Sequence, residues 1–156
     1  MMASGEWRAR IASSSRLGIT YSLARSLATK GYLREAYPGR QILTKLRIDD
    51  LDLGAAGVRG LQEPWQTCSL CGMGPETRVH FVLQCEALEP SRSAGHSREA
   101  LDLARGLDEK RAFEVMILAR PEAAADDIER AKLVGKLLHA LWTQRSSILG
   151  LRPSLD

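Results

Sequence analysis

The chain has 156 residues, 44% of them hydrophobic, 26% charged and only 5% aromatic. That size and mix fit one folded domain; they exclude a disordered or fibrous chain and leave no room for the long polymerase and nuclease architectures. The formal net charge of +3 is unevenly placed: residues 1–48 carry nine Arg or Lys against two acids, residues 49–109 eleven acids against five bases, and residues 110–156 eight bases against six acids. A basic first third beside an acidic middle fits a nucleic-acid contact next to a neutralising region, and equally two halves whose charges pair with each other.

No apolar run approaches the roughly 18 residues needed to span a bilayer, so no membrane partner is expected. Residues 1–12, with Glu6, Trp7, Arg8 and Arg10, lack the apolar core of a secretory signal. The expected setting is intracellular and reducing, nuclear or cytoplasmic. An odd number of cysteines, three, argues against a disulfide framework there.

Residues 16–33 read as a helix, with Leu17, Tyr21, Ala24 and Ala28 on one stripe and Ser14 or Ser15 as its cap. Tyr37-Pro38-Gly39 is a turn. The helical pattern resumes over 40–48, where Ile42, Leu43 and Leu46 point one way and Arg40, Lys45 and Arg47 lie around the rest. Residues 49–63 read as mostly irregular, and their Asp49, Asp50 and Asp52 as a helix end and surface loop. A short helix is expected over 78–85, a loop over 89–97, and two helices over 98–107 and 109–119.

The last helix begins near Pro121 and is stopped by Gly150 and Pro153. Acids early (Glu122, Asp126, Asp127) and bases late (Lys132, Lys136, Arg145) suit its dipole. Leu133, Leu137, Leu138, Leu141 and Trp142 form a broad apolar face with Val134 at its edge, more apolar surface than a lone helix leaves exposed. That face is the candidate surface for a protein partner or for a second copy of the chain.

One arrangement carries chemistry. Cys68, Cys71, His80 and Cys85 follow the pattern C-x2-C-x8-H-x4-C and use every cysteine in the chain. A C-x2-C turn lets two sulfurs converge on one ion, and Gly72 and Gly74 relieve the backbone just beyond it. His80 and Cys85 are five positions apart, so both face an ion only if the short helix tightens, frays or ends near Gln84. Three thiolates and an imidazole favour Zn2+ over calcium or magnesium, and four protein ligands leave no open position, which makes the ion structural. His96 is the substitute for His80. Trp65, just before the first ligand, reads as a lid over the metal loop or as a stacking surface for a base; Trp7 and Trp142 read as packing residues.

These residues give the chain its likeness. Arg40-Gln41-Ile42-Leu43-Thr44-Lys45-Leu46-Arg47-Ile48, then Cys68-Ser69-Leu70-Cys71-Gly72, then Val79-His80-Phe81-Val82-Leu83-Gln84-Cys85-Glu86-Ala87-Leu88 together resemble the zinc-knuckle region at the C-terminal end of non-LTR retrotransposon reverse transcriptase polyproteins. The final helix around 133–142 is similar to the closing segment of that region. Arg78 and Val79 stand where an acid commonly precedes the histidine, and Glu86 where a proline is usual; neither change removes a ligand. The resemblance implies contact with template RNA or target DNA, with the ion holding a platform. The phosphate-contacting candidates are Arg40, Lys45 and Arg47, then Arg34 and Arg78.

The expected fold is mainly α, a small helical domain organised around a CCHC zinc knuckle with a long C-terminal helix. Its divisions are a basic helical region (1–48), an irregular segment with the knuckle (49–90), a helical packing region (91–150) and a tail (151–156). The expected function is a zinc-dependent nucleic-acid-binding module. The alternative is a zinc-stabilised protein-interaction or oligomerisation module from a truncated or domesticated retroelement. An enzyme is not expected: there is no nucleophile–base–acid set and no glycine-rich phosphate loop, and His139 and Ser13 to Ser15 read as structural. Removal of the ion is expected to melt residues 65–88 and leave 122–149 folded.

Overall fold

A computed structural model describes residues 35–48, 50, 51, 53, 67–118 and 127–151. The helix expected at 16–33, Arg34, Trp7, Trp65, Asp49, Asp52 and the expected helix start at Pro121 lie outside the described residues.

The molecule is mainly helical, and its described residues contain no strand, only an isolated antiparallel bridge between Thr67 and Pro75. The helices are α1 (Arg40–Arg47), α2 (Glu89–Ser93), α3 (Gly95–Asp102), α4 (Glu109–Ile117) and the long α5 (Asp127–Ile148). A π-helical turn, His80–Gln84, and a 3-10 turn, Glu86–Leu88, lie between α1 and α2. The loop expected over 89–97 is instead helical, broken at Ala94, whose backbone is extended. Pro90 is in the first turn of α2, where its missing N–H costs nothing. Asp108 caps α4 by accepting from the Arg111 N–H at 3.0 Å.

Helix α5 is the spine, packing against α1, α2, α3, α4 and both short turns. Val134, Leu137, Leu138 and Leu141 on it are fully buried, while Leu133 and Trp142 are partly buried against the same core. Two expectations change as a result. Val134 lies inside the apolar face rather than at its edge. The leucine face proposed as a partner surface is covered by the chain's own helices, because α5 is wrapped on several sides instead of lying on an outer layer.

Two backbones approach closely at the turn before α1. Gly39 has φ +75°, and a Cβ there would lie 2.0 Å from the Gly135 carbonyl oxygen; a Cβ on Gly135 would lie 2.4 Å from the Pro38 oxygen. Two glycines thus let the Tyr37–Gly39 turn lie directly on α5, which explains a glycine in the middle of a long helix.

Among the described residues one apolar core runs across the first three expected divisions. Ile42, Leu43 and Leu46 of α1, Phe81, Val82 and Cys85, Met116 and Ile117 of α4, and Leu137, Leu138 and Leu141 of α5 belong to it together. The cysteine segment is therefore part of the core and not a satellite beside it.

Candidate metal centre

The centre is assembled from a turn and a distorted helix. Cys68 N–H donates to the Gly74 oxygen at 2.6 Å and Gly72 N–H to the Cys68 oxygen at 2.8 Å, folding residues 68–74 into a tight loop. Gly72 and Gly74 hold φ of +70° and +90°, backbone that side chains with a Cβ resist. Thr77 then starts the helical segment: its hydroxyl accepts from His80 N–H at 3.1 Å, and its carbonyl accepts from Phe81 N–H at 2.9 Å.

From His80 the helix widens. Cys85 N–H donates to the His80 oxygen at 2.8 Å, a bond between residues five apart. The sequence spacing demanded a departure from α geometry, and the expected remedy was tightening or fraying. The structure uses the opposite, a π turn, because a five-residue hydrogen-bonded repeat returns His80 and Cys85 to one side. The turn still ends at Gln84, as expected, and the backbone becomes extended at Cys85.

The ligand atoms of Cys68, Cys71, His80 and Cys85 all lie within 4.8 Å of one another, a grouping able to hold a metal ion. Cys68 and Cys85 sulfurs are 3.9 Å apart, and Cys71 Sγ is 3.3 Å from His80 Nε2. A sulfur pair at that distance is not a disulfide, and all three thiols are free. Cys68, His80 and Cys85 are buried and Cys71 is half-buried, so the cluster opens to solvent on one side. His96, the substitute ligand, is exposed on α3 and is not among the grouped residues.

Burial pushes the Cys68 thiol above its ordinary value, and burial followed by the Cys68 charge pushes the Cys85 thiol up to about 12. Burial also acts upward on Cys71, but hydrogen bonds, led by the Met73 backbone N–H, outweigh it and hold that thiol below its ordinary value. Three sulfurs this close oppose one another's ionisation, and the most accessible one ionises most readily.

Behind the ligands, Glu76 is 1% exposed and bound by Arg145 of α5 through Nε–Oε1 at 2.7 Å and Nη2–Oε2 at 3.1 Å. Phe81 meets Trp142 edge-to-face with ring centroids 6.1 Å apart, and the Arg145 guanidinium lies over the Trp142 ring. The Arg92 guanidinium donates to the Cys85 carbonyl oxygen. Gln144 Nε2 donates to the Ala87 oxygen at 2.7 Å. Sequence reading missed the Glu76–Arg145, Phe81–Trp142 and Gln144–Ala87 supports, since each joins residues distant in the chain.

The basic candidates separate sharply. Arg47 is 4% exposed, and its Nε donates to the Ile117 oxygen at 2.6 Å. Arg78 Nη1 donates to the Leu46 oxygen at 2.9 Å, with its guanidinium 5.6 Å from the centre of the Phe113 ring. Both donate to carbonyls in the last turn of a helix, α4 and α1 respectively, where the regular helical hydrogen bonding runs out. Arg130 does the same for the Val115 oxygen at 2.8 Å. Arg47 therefore leaves the set of phosphate contacts, and Arg78 is held in place by the fold. Arg40 and Lys45 remain part-exposed.

A groove of about 350 Å³ lies beside the centre, with Val79, Phe113 and Leu118 among its apolar lining and Arg78, Glu109, Lys110 and Glu114 around them. No helix among the described residues is long and apolar enough to cross a membrane. Comparison with the profiles of known protein families, with curated proteins and with solved structures gives no match.

Proposed function

We propose that Cys68, Cys71, His80 and Cys85 hold Zn2+ and that the helical domain around them contacts the phosphates of RNA or DNA. The observation that carries the reading is the convergence of four soft or borderline donors within 4.8 Å. A tetrahedral zinc with Zn–S near 2.3 Å and Zn–N near 2.0 Å separates its sulfurs by about 3.8 Å and a sulfur from a nitrogen by about 3.5 Å. The sulfur–sulfur distance of 3.9 Å and the sulfur–nitrogen distance of 3.3 Å fit that figure closely. Calcium and magnesium take oxygen donors, which this cluster lacks. With four protein ligands the ion stabilises the fold and leaves no position for a reacting water.

Support for the nucleic-acid arm is the basic first third, the likeness to the retrotransposon zinc-knuckle region, and the placement of the remaining cations. Gly39 and Gly135 touch, so Arg40 and the exposed Lys136, their chain neighbours, flank one crossing, with Lys45 further along α1. Lys136 was not a sequence candidate, because only the crossing brings it to α1. Arg34 belongs to the same basic region but lies outside the described residues.

The test is metal analysis of reduced, freshly purified chain, followed by titration of single-stranded RNA and DNA at several salt concentrations. Stoichiometric zinc and binding that weakens as salt rises are expected, since phosphate contacts release counterions. Absence of binding at low salt by zinc-loaded protein overturns the nucleic-acid arm. The second reading is a protein-interaction module, which the apolar groove at Val79, Phe113 and Leu118 favours over the leucine face of α5.

A further inference from the structure

We infer that Cys71 is a hydroperoxide-reactive thiol whose oxidation releases the ion from the Cys68, Cys71, His80 and Cys85 centre. The inference rests on the zinc reading above. Its ground is an asymmetry among the ligands: Cys68 and Cys85 are 1% and 0% exposed, whereas Cys71 is only half-buried. The two glycines that follow Cys71 in the loop, Gly72 and Gly74, carry no side chain to cover it, and a Cβ placed on either meets no atom within 4 Å. Its sulfur also accepts the Met73 N–H at 3.4 Å, a hydrogen bond on the exposed side of the loop.

The chemistry balances with a hydroperoxide as oxidant. The Cys71 thiolate attacks the terminal oxygen of ROOH, the O–O bond breaks, a sulfenic acid forms on Cys71, and RO− departs to take a proton from water. The Cys68 thiolate, within 4.8 Å of Cys71, then attacks the sulfenic sulfur, forming a disulfide and releasing hydroxide. The two sulfurs together lose two electrons and the peroxide gains them. Cys68 is the resolving partner because it shares the small glycine-containing loop with Cys71, three residues away, while Cys85 lies on the separate segment that follows the π turn. His80 and Cys85 alone are too few ligands to retain the ion. A thiol reductant reverses the disulfide.

The experiment treats the zinc-loaded full chain with hydrogen peroxide, follows released zinc with a chromogenic chelator, and maps the products by mass spectrometry after trypsin. Residues 60–78 form one tryptic fragment holding both Cys68 and Cys71, and 79–92 another holding Cys85. Stoichiometric zinc release in step with the loss of two hydrogens from the first fragment is expected, as is recovery of zinc binding after dithiothreitol and added zinc. Met73, 67% exposed and two residues away, is an internal control for simple accessibility. The inference is overturned by zinc retained while Met73 becomes sulfoxide, by first modification at Cys85, or by irreversible acids without a disulfide. Metal analysis before peroxide is added tells failure of the zinc reading apart, since a chain isolated without zinc removes the premise before oxidation begins.

Discussion

Arg145 of α5 holds the Glu76 carboxylate in a two-point ion pair, with both side chains almost wholly buried. The pair ties the loop that carries Cys68 and Cys71 to the far end of the longest helix. Beyond the larger effect of burial, Glu76 also raises the Cys68 thiol by its charge, so the carboxylate acts on a candidate ligand. Removing one partner strands a buried charge, which costs far more than an exposed pair contributes. Arg145→Met is expected to destabilise the chain by about 3–5 kcal/mol. Replacing both with apolar residues of similar volume should recover most of that loss, read as urea midpoints at constant slope.

At the crossing of Gly39 and Gly135 the two backbones leave no room for a methyl group. Propensity alone predicts that Gly135→Ala stabilises α5 by about 1 kcal/mol. The Cβ, 2.4 Å from the Pro38 oxygen, must instead push the turn away, and overpacking of that kind costs about 1–3 kcal/mol. A lowered melting temperature for Gly135→Ala is the expected outcome, and a raised one would show that the turn does not lie on the helix.

Cys68, Phe81, Val82 and Cys85 share their core with Leu137, Leu138 and Leu141. Chelation is therefore expected to loosen α5 along with residues 68–88, replacing the sequence-based expectation that the final helix survives alone. Hydrogen exchange after zinc removal should show protection falling over both segments together. Retained protection in α5 would restore the two-part description.

The pH dependence has two signs. In the metal-free fold the Cys68 thiol is raised and the Cys85 thiol reaches about 12, so both are protonated at neutral pH and zinc must displace at least two protons. Apparent zinc affinity should fall by at least about 100-fold for each unit of acidification near neutrality, measured by competition with a chelator. For the metal-free chain the raised thiol works the other way. An unfolded thiol ionises near 9.0 and the folded Cys85 only near 12, so its contribution is intact below 9.0 and is lost as pH rises between the two values.

Arg47 and Lys45, both sequence candidates for phosphate contact, should behave differently. Arg47→Ala is expected to cost about 1.5–3 kcal/mol of stability, by removing a charged donor from the Ile117 carbonyl, with no change in the salt dependence of binding. Lys45→Ala should leave stability within about 0.5 kcal/mol. It should make the log affinity against log salt slope shallower by about 0.7 on single strands. Equal effects of the two on that slope would return Arg47 to the binding surface.

Much of this was open to local reading. Residues 40–48 and 109–119 show helical periodicity and turn punctuation, and helices Arg40–Arg47 and Glu109–Ile117 occur there. The ligand set was recognisable because soft donors at short fixed spacings have few other uses, and those four residues are the ones that converge. Residues 89–97 misled because Glu89-Pro90-Ser91-Arg92-Ser93 reads as loop by composition. Burial of Arg92 against Cys85 and the hydrogen bond from the Ser91 N–H to Gln144 Oε1 hold that stretch helical.

By itself the sequence determined the helical character and the identity of the four candidate ligands, since both depend on short-range spacing along the chain. Only the tertiary structure decided that a π turn brings His80 and Cys85 together and that the leucine face of α5 is covered from within. It also decided that Arg47 is buried and that Arg47 and Arg78 each donate to a carbonyl at a helix end. Those outcomes depend on which unsatisfied carbonyl or apolar surface a side chain meets from another part of the chain, and periodicity carries no record of that.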